Sequence, residues 1–224
     1  MSKKIFVVSP HADDLELGCG GYIAKQAYQG AEVSCLIMAA GDNFHPHLGR
    51  IVTAEERIEE ARAAMGVLGV PHLDIALMNK DGYLDTVPQR ELIREIEHAI
   101  AKNEPDEILI PLPSSHQDHI ATYQASVAAT RPSARNRVRL IAAYEYTASS
   151  WNGGPTAESG RGGLYVDISE WFDLKAEALR CHKTQMRNGR HCWSIDSAES
   201  LARMRGLESG LDKAELLYVM RELG

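Results

Sequence analysis

Short apolar runs at 5–9, 32–39, 75–78, 107–112, 140–146 and 164–168 alternate with longer stretches of helical period at 21–29, 54–68, 88–103, 119–130 and 171–186. A chain that switches repeatedly between these two periods is built of strand–helix–strand units, whose strands run mostly parallel with helices on the faces of the sheet. The predicted class is α/β. Thr53 followed by Glu56 reads as a capping box opening the second helix, and Gly69 supplies its stop. Within that helix Ile58, Ala61, Met65 and Leu68 recur at spacings of three and four, one apolar stripe that packs on the sheet. The tail after Met186 holds two further helical patterns, 197–205 and 213–223, expected to form a helical appendage to the same core. A length of 224 residues suits one core, so a single domain spanning 1–224 is expected.

Charge and cysteine usage narrow the class. A net charge of −7 disfavours a general nucleic-acid binder, whose affinity depends on neutralising phosphates with Lys and Arg. The basic cluster "RPSARNRVR" from Arg131 reads as a solvated helix end and loop. No apolar run approaches the roughly 18 residues that cross a bilayer, and the apolar stretch in "MSKKIFVV" is too short for a signal peptide, so cytoplasmic residence is the default expectation. Cys19, Cys35, Cys181 and Cys192 lie far apart, which suggests neither a zinc knuckle nor a disulfide framework. The stretch "SSWNGGPTAESGRGG" reads as a long loop of the kind used as a lid or binding edge. The oligomeric state is open, and a homo-oligomer is compatible with the sequence.

The first strand ends in "SPHADDLELGCGG". In a parallel sheet, functional groups gather beyond the carboxyl ends of the strands, where this cluster falls. Adjacent carboxylates at Asp13 and Asp14 repel each other unless a cation or donors compensate. His11 and Asp14, three apart, can be aimed by one tight turn at a single divalent ion, leaving Asp13 free beside it as a general base. Two other readings stand beside this one: an aspartate capping the following helix with the glycines allowing close packing, and an anion-binding loop, although the G-x-G-x-x-G order is missing. After the strand at 107–112, "PLPSSHQDHIA" supplies His116, Asp118 and His119. His119 would complete a His, Asp, His set with one position left for water. His116 could then donate a proton or stabilise developing negative charge, with a carboxylate to hold its tautomer. A plain surface loop is the alternative.

The segment "PHADDLELGCGG" resembles the P-H-x-D-D-x-x-x-G-x-G-G signature of the PIG-L/LmbE-type de-N-acetylases, and "HQDH" resembles their H-x-D-H signature. Weaker agreement runs through "EERIEEARAAMGVLG", "DGYL", "YVDIS", "CHKTQ" and "ARMRGLESG". The resemblance implies a Rossmann-like three-layer sandwich and hydrolysis of the acetamide of N-acetylated amino sugars, usually with zinc. It implies that His11, Asp14 and His119 bind the metal, that Asp13 is the general base, that His116 assists at the transition state and that Arg57 reaches the substrate. On spacing alone Arg57 reads equally well as an exposed helix salt bridge with Glu56 or Glu60. A His, His, Asp set suits zinc and also accepts iron, cobalt or nickel. Further candidates for contacting the sugar are Asp81, Asp118, Tyr144, Tyr146 and the loop near Trp151. Ala12 departs from the proline common between His and Asp, and Thr184 stands where a serine is common. His182 is expected to be a satisfied, partly buried histidine. Two rival functions use the same residues: a metal-dependent phosphoesterase, and a non-catalytic sugar-nucleotide binder.

Overall fold

The computed structural model describes residues 2–132, 138–147 and 162–224, so most of the Arg131 cluster and of the 149–163 loop, with Trp151, lies outside the described residues. The central strand β1 (Lys4–Ser9) alternates its side chains between two layers. Ile5 and Val7 enter one apolar cluster, Phe6 and Val8 the other. Both faces of the strand are therefore dry, and the run reads as continuously apolar. On the first face lie α1 (Asp14–Tyr28), α2 (Ala54–Val67) and α5 (Phe172–Cys181); on the second lie α3 (Gln89–Asn103) and α4 (Gln117–Ala129). The result is the expected three-layer sandwich.

Beside β1 the sheet contains β2 (Glu32–Ala40), β5 (His72–Met78), β6 (Glu107–Pro111), β7 (Leu140–Tyr144), β8 (Gly162–Asp167) and β9 (Ala214–Glu222). Their order is β5-β2-β1-β6-β7-β9-β8. The chain leaves β1 toward β2 and β5, then returns to the other side of β1 for β6 and β7, and all of these neighbours are parallel. The order reverses between β1 and β6, which opens a crevice at their carboxyl ends. A short antiparallel hairpin, β3 (Asn43–His45) with β4 (Arg50–Val52), stands beyond the end of β2.

Three sequence expectations change. The first helix begins at Asp14 instead of residue 21, with a kink at Cys19. The glycines inside it serve close packing: a Cβ at Gly18 would collide with the Tyr144 ring, and one at Gly21 would come within 2.8 Å of Ile168. The fifth helix stops at Cys181 instead of 186, because His182 is buried and holds Glu16 at 2.9 Å across the molecule. The segment expected as a helix over 213–223 is instead β9. It pairs antiparallel with β7 on one side and β8 on the other. Residues such as Leu216, Leu217, Tyr218 and Val219 follow either period, and the two flanking strands decide it by supplying hydrogen bonds on both edges. Only α6 (Ile195–Ser209) of the expected helical appendage is a helix, with Ser194 and Ser197 forming a capping box.

Candidate active site

At the end of β1 the chain turns at once into α1. Ser9 Oγ donates to the His11 carbonyl at 2.7 Å, and the His11 backbone N–H donates to Asp14 Oδ2 at 3.1 Å. These bonds close the turn and face His11 and Asp14 together. Asp13 sits at the N-cap of α1, yet its side chain makes no capping bond. Capping therefore does not account for either carboxylate.

Across the crevice, β6 leads to His116, the N-cap of α4, whose Nδ1 accepts the Asp118 backbone N–H at 3.2 Å. A neutral imidazole that accepts at Nδ1 carries its proton on Nε2. One turn into α4, His119 Nε2 lies 3.2 Å from Asp14 Oδ2, the same oxygen that lies 3.2 Å from His11 Nδ1. One donor atom each from His11, Asp14 and His119 lies within 4.8 Å of the others, and all three residues are buried. Nitrogen and carboxylate donors so grouped fit one divalent cation of the zinc type, with room for a non-protein fourth ligand. A second cluster, His11, His116 and Asp118, shares His11 and is filled from elsewhere. Asp118 Oδ2 accepts from His11 Nε2 at 2.9 Å and from the Gly82 N–H at 2.6 Å, and its Oδ1 accepts from the Leu84 N–H at 2.9 Å.

Charge separates the two neighbouring aspartates. Burial and the Asp14 charge raise the Asp13 pKa, with Arg57 opposing. Burial would raise Asp14 also, but His119 and His11 outweigh it and hold it well below the usual carboxylate range. Burial disfavours protonation of His11, yet hydrogen bonds to Asp118 and Asp14 and the charge of Asp81 push its pKa up to about 10. The same negative field that draws a proton to this point would favour a metal ion there. His116 moves the other way, lowered by burial and then by His11 and His119.

A cleft of about 530 Å³ opens above these groups. Arg57 lines it, 6% exposed, paired through Nη1 with Asp81 and with Nη2 4.0 Å from Asp13 Oδ1. The helix-surface reading of Arg57 is thereby overturned: Glu56 pairs with Arg50, and Glu60 accepts from Thr184. Tyr146 lines the cleft with its ring 4.9 Å from that of His119. Tyr144 does not. It is fully buried beneath Gly18 and donates to the Val8 carbonyl at 2.9 Å, so its expected place against the sugar is corrected to the core. Asp118 is likewise corrected: its two oxygens are taken up behind His11, where it orients that ring and ties down the loop of Asp81. The carboxylate therefore serves the tautomer of His11, while a backbone amide sets that of His116. Asn43 and His45 from the hairpin, and Gln185, Arg187, His191 and Trp193 from the segment after α5, also line the cleft. Of these six only Gln185 falls in a segment quoted from the sequence, "CHKTQ", and none was given a role there. The hairpin strands are too short for a period, and the 185–193 segment carries no spacing signal.

Fold and site together define an α/β protein with a buried cluster of two histidines and one carboxylate, able to hold a metal ion, at the sheet's switch point. The family model described as PIG-L, GlcNAc-PI de-N-acetylase, matches residues 6–130, more than half of the 224-residue chain, and the chain belongs to this family. It is 30% identical over 192 residues to an uncharacterized deacetylase, YaiS, of Escherichia coli, covering 81% of this chain and 91% of that protein. It is also 30% identical over 193 residues to the diacetylchitobiose deacetylase of Thermococcus kodakarensis, covering 82% of this chain and 70% of the relative. The crystal structure of a conserved protein from Thermus thermophilus superposes with a TM-score of 0.76 at 26% identity, covering 98% of this chain and 96% of the other. Among the described residues no helix is long and apolar enough to cross a membrane.

Proposed function

We propose that the protein is a metal-dependent N-deacetylase that hydrolyses the acetamide of an N-acetylated amino sugar or a conjugate of one, releasing acetate and a free amine. The observation that carries the reading is Asp13: a buried carboxylate with a raised pKa, beside the candidate ligands but outside the set they form. Family membership and the deacetylase relatives support the reaction class. His11 Nδ1, Asp14 and His119 Nε2 would hold the ion, with zinc the best match to the donors and iron, cobalt or nickel compatible with them. When bound, such an ion polarises an amide carbonyl and lowers the pKa of a water beside it.

The chain's own groups supply the remaining steps. Asp13 takes the proton of the attacking water, and its raised pKa brings it closer to the poise a general base needs at neutral pH. Arg57, within reach of Asp13 and bound to Asp81, keeps that carboxylate oriented. His116 presents its Nε2–H toward the oxygen on which negative charge builds, as a preorganised donor. The proton held on Asp13 is then available to the departing amine. Asp118 fixes His11 from behind, the arrangement by which carboxylates set the tautomer and basicity of ligating histidines.

A phosphoesterase reading is weaker, because its two-ion chemistry needs a second complete ligand set, whereas the second cluster shares His11 and Asp118 is already occupied. The test is acetate release from metal-loaded protein against a panel of N-acetylated sugars. Asp13→Asn should lower kcat by about 10²–10⁴ with metal content unchanged. Full activity in a fully loaded Asp13→Asn protein would eliminate Asp13 as the base.

A further inference from the structure

The cleft wall after α5 is a short segment closed on itself. The Arg187 backbone N–H donates to the Trp193 carbonyl at 2.7 Å, and the His191 N–H donates to the Gly189 carbonyl at 2.9 Å. The Trp193 N–H donates to His191 Nδ1 at 3.1 Å. Arg187, His191 and Trp193 all line the cleft. Between these anchors stands the pair Asn188-Gly189, exposed and outside any helix or strand. None of the closing bonds uses the Asn188 side chain or the Gly189 N–H, and neither group has a hydrogen bond among the described residues. Gly189 holds a φ of 73°, a conformation that favours glycine, and nothing lies within 4 Å of the place a Cβ would take.

An asparagine before a glycine can close an imide readily, because no side chain shields the attacking nitrogen. The Gly189 amide nitrogen loses its proton and attacks the carbonyl carbon of the Asn188 side chain. A C–N bond forms there to close a succinimide ring, and the bond to the side-chain nitrogen breaks, which leaves as ammonia with that proton. Water then adds to either imide carbonyl and breaks its bond to nitrogen, giving an aspartate or an isoaspartate whose main chain runs through Cβ. The positive charges of Arg187 and Arg190, on either side of the pair, favour the amide anion that attacks. The other described asparagines lack this combination. Asn43 lies in β3, Asn103 lies in α3 with its Nδ2 donating to the Ala99 carbonyl at 2.8 Å, and Asn79 precedes Lys80, whose side chain shields the nitrogen. The carbon that isoaspartate inserts falls between the Arg187 anchor and the Gly189–His191 anchor, so the segment cannot keep both as they are.

We propose that Asn188 is a modification site at which the folded protein forms isoaspartate spontaneously, and that the product opens the closed 187–193 segment of the cleft wall. The lesion acts through cleft geometry: it leaves every candidate metal ligand chemically intact and displaces the side chains that line one wall. The proposal stands apart from the reaction the cleft performs, because the imide closes within the chain itself.

The test ages the full chain in its folded state at mildly alkaline pH. Released ammonia is measured, and isoaspartate is located by methyl transfer from S-adenosylmethionine with an isoaspartyl methyltransferase, followed by peptide mapping. Ammonia and label at residue 188 should rise together. Asn188→Gln, whose longer side chain closes an imide far less readily, should release less ammonia, and Asn188→Ser serves in its place if the glutamine variant does not fold. Label confined to other asparagines, Asn152 of the second Asn-Gly step included, overturns the site. Opening of the segment is read by limited trypsin cleavage after Arg190, which should be several-fold faster in aged than in fresh protein and unchanged in equally aged Asn188→Gln. Unchanged cleavage in a fully converted sample overturns the effect on the cleft wall. Acetate release is followed in parallel: fresh protein without turnover defeats the deacetylase reading alone, while absence of isoaspartate at 188 in a protein that releases acetate defeats the modification site alone.

Discussion

Asp118 makes no contact with the cleft, yet it accepts three hydrogen bonds at once, from His11 Nε2 and from the Gly82 and Leu84 amides. A carboxylate with that many donors is held ionised, and burial is outweighed by them: its pKa lies below the usual value. Asp118→Asn replaces one acceptor oxygen by a donor, which must confront either His11 or a backbone N–H. The expected outcome is a loss of about 10–100-fold in metal affinity, read by competition against a chromophoric chelator, with little change in melting temperature of the metal-free protein if the His11 bond is the one lost. Unchanged affinity would show that His11 is oriented by its neighbours alone. The residues at this scale were partly legible in the sequence. His11, Asp13, Asp14, His116 and His119 stand in two spaced motifs that only chemistry explains, whereas the direction in which Asp118 points depends on a loop 36 residues away.

α1 is two helical pieces joined at Cys19, and the break is held by a buried ion pair. Lys175 Nζ donates to the Leu17 carbonyl at 2.9 Å, closing the first piece, while Glu215 accepts the Gly21 and Tyr22 amides at 2.9 and 2.7 Å, opening the second. The two side chains meet at 2.6 Å, each with 3% of the side chain exposed. Lys175→Met keeps the stem and removes the charge, which strands Glu215. It should cost about 3–5 kcal/mol in urea unfolding. Lys175→Met with Glu215→Leu should not recover the loss in full, because the Gly21 and Tyr22 amides then lose their acceptor. Full recovery would mean that the pair, and not its bonds to the backbone, is what matters. Most helices and strands could be placed from periodicity to within a few residues. The exceptions have identifiable causes: glycines in α1 that serve close packing, a histidine that ends α5, and a tail whose pattern fits both periods until β7 and β8 flank it.

At the scale of the whole molecule, the candidate ligands come from both sides of the switch point, His11 and Asp14 from the end of β1 and His119 from the helix after β6. A bound ion thus ties two strand–helix units together and binds only the folded chain. Titrating zinc into metal-free protein should raise the melting temperature, with a stabilisation of about 2.7 kcal/mol when free metal is 100 times its Kd. Asp14→Asn and His119→Ala should each abolish most of that increment while shifting the metal-free melting temperature far less. An increment that survives both would place the ion elsewhere. The sequence by itself determined the α/β class, the parallel order of most strands and the two motifs at the strand ends, because hydrophobic period and motif spacing are local properties of the chain. Tertiary structure alone decided that the C-terminal segment is a strand, that Tyr144 is core, that Asp118 backs His11, and that Arg187 reaches the cleft. Each of those outcomes depends on a partner distant in sequence, and no local pattern records which partner arrives.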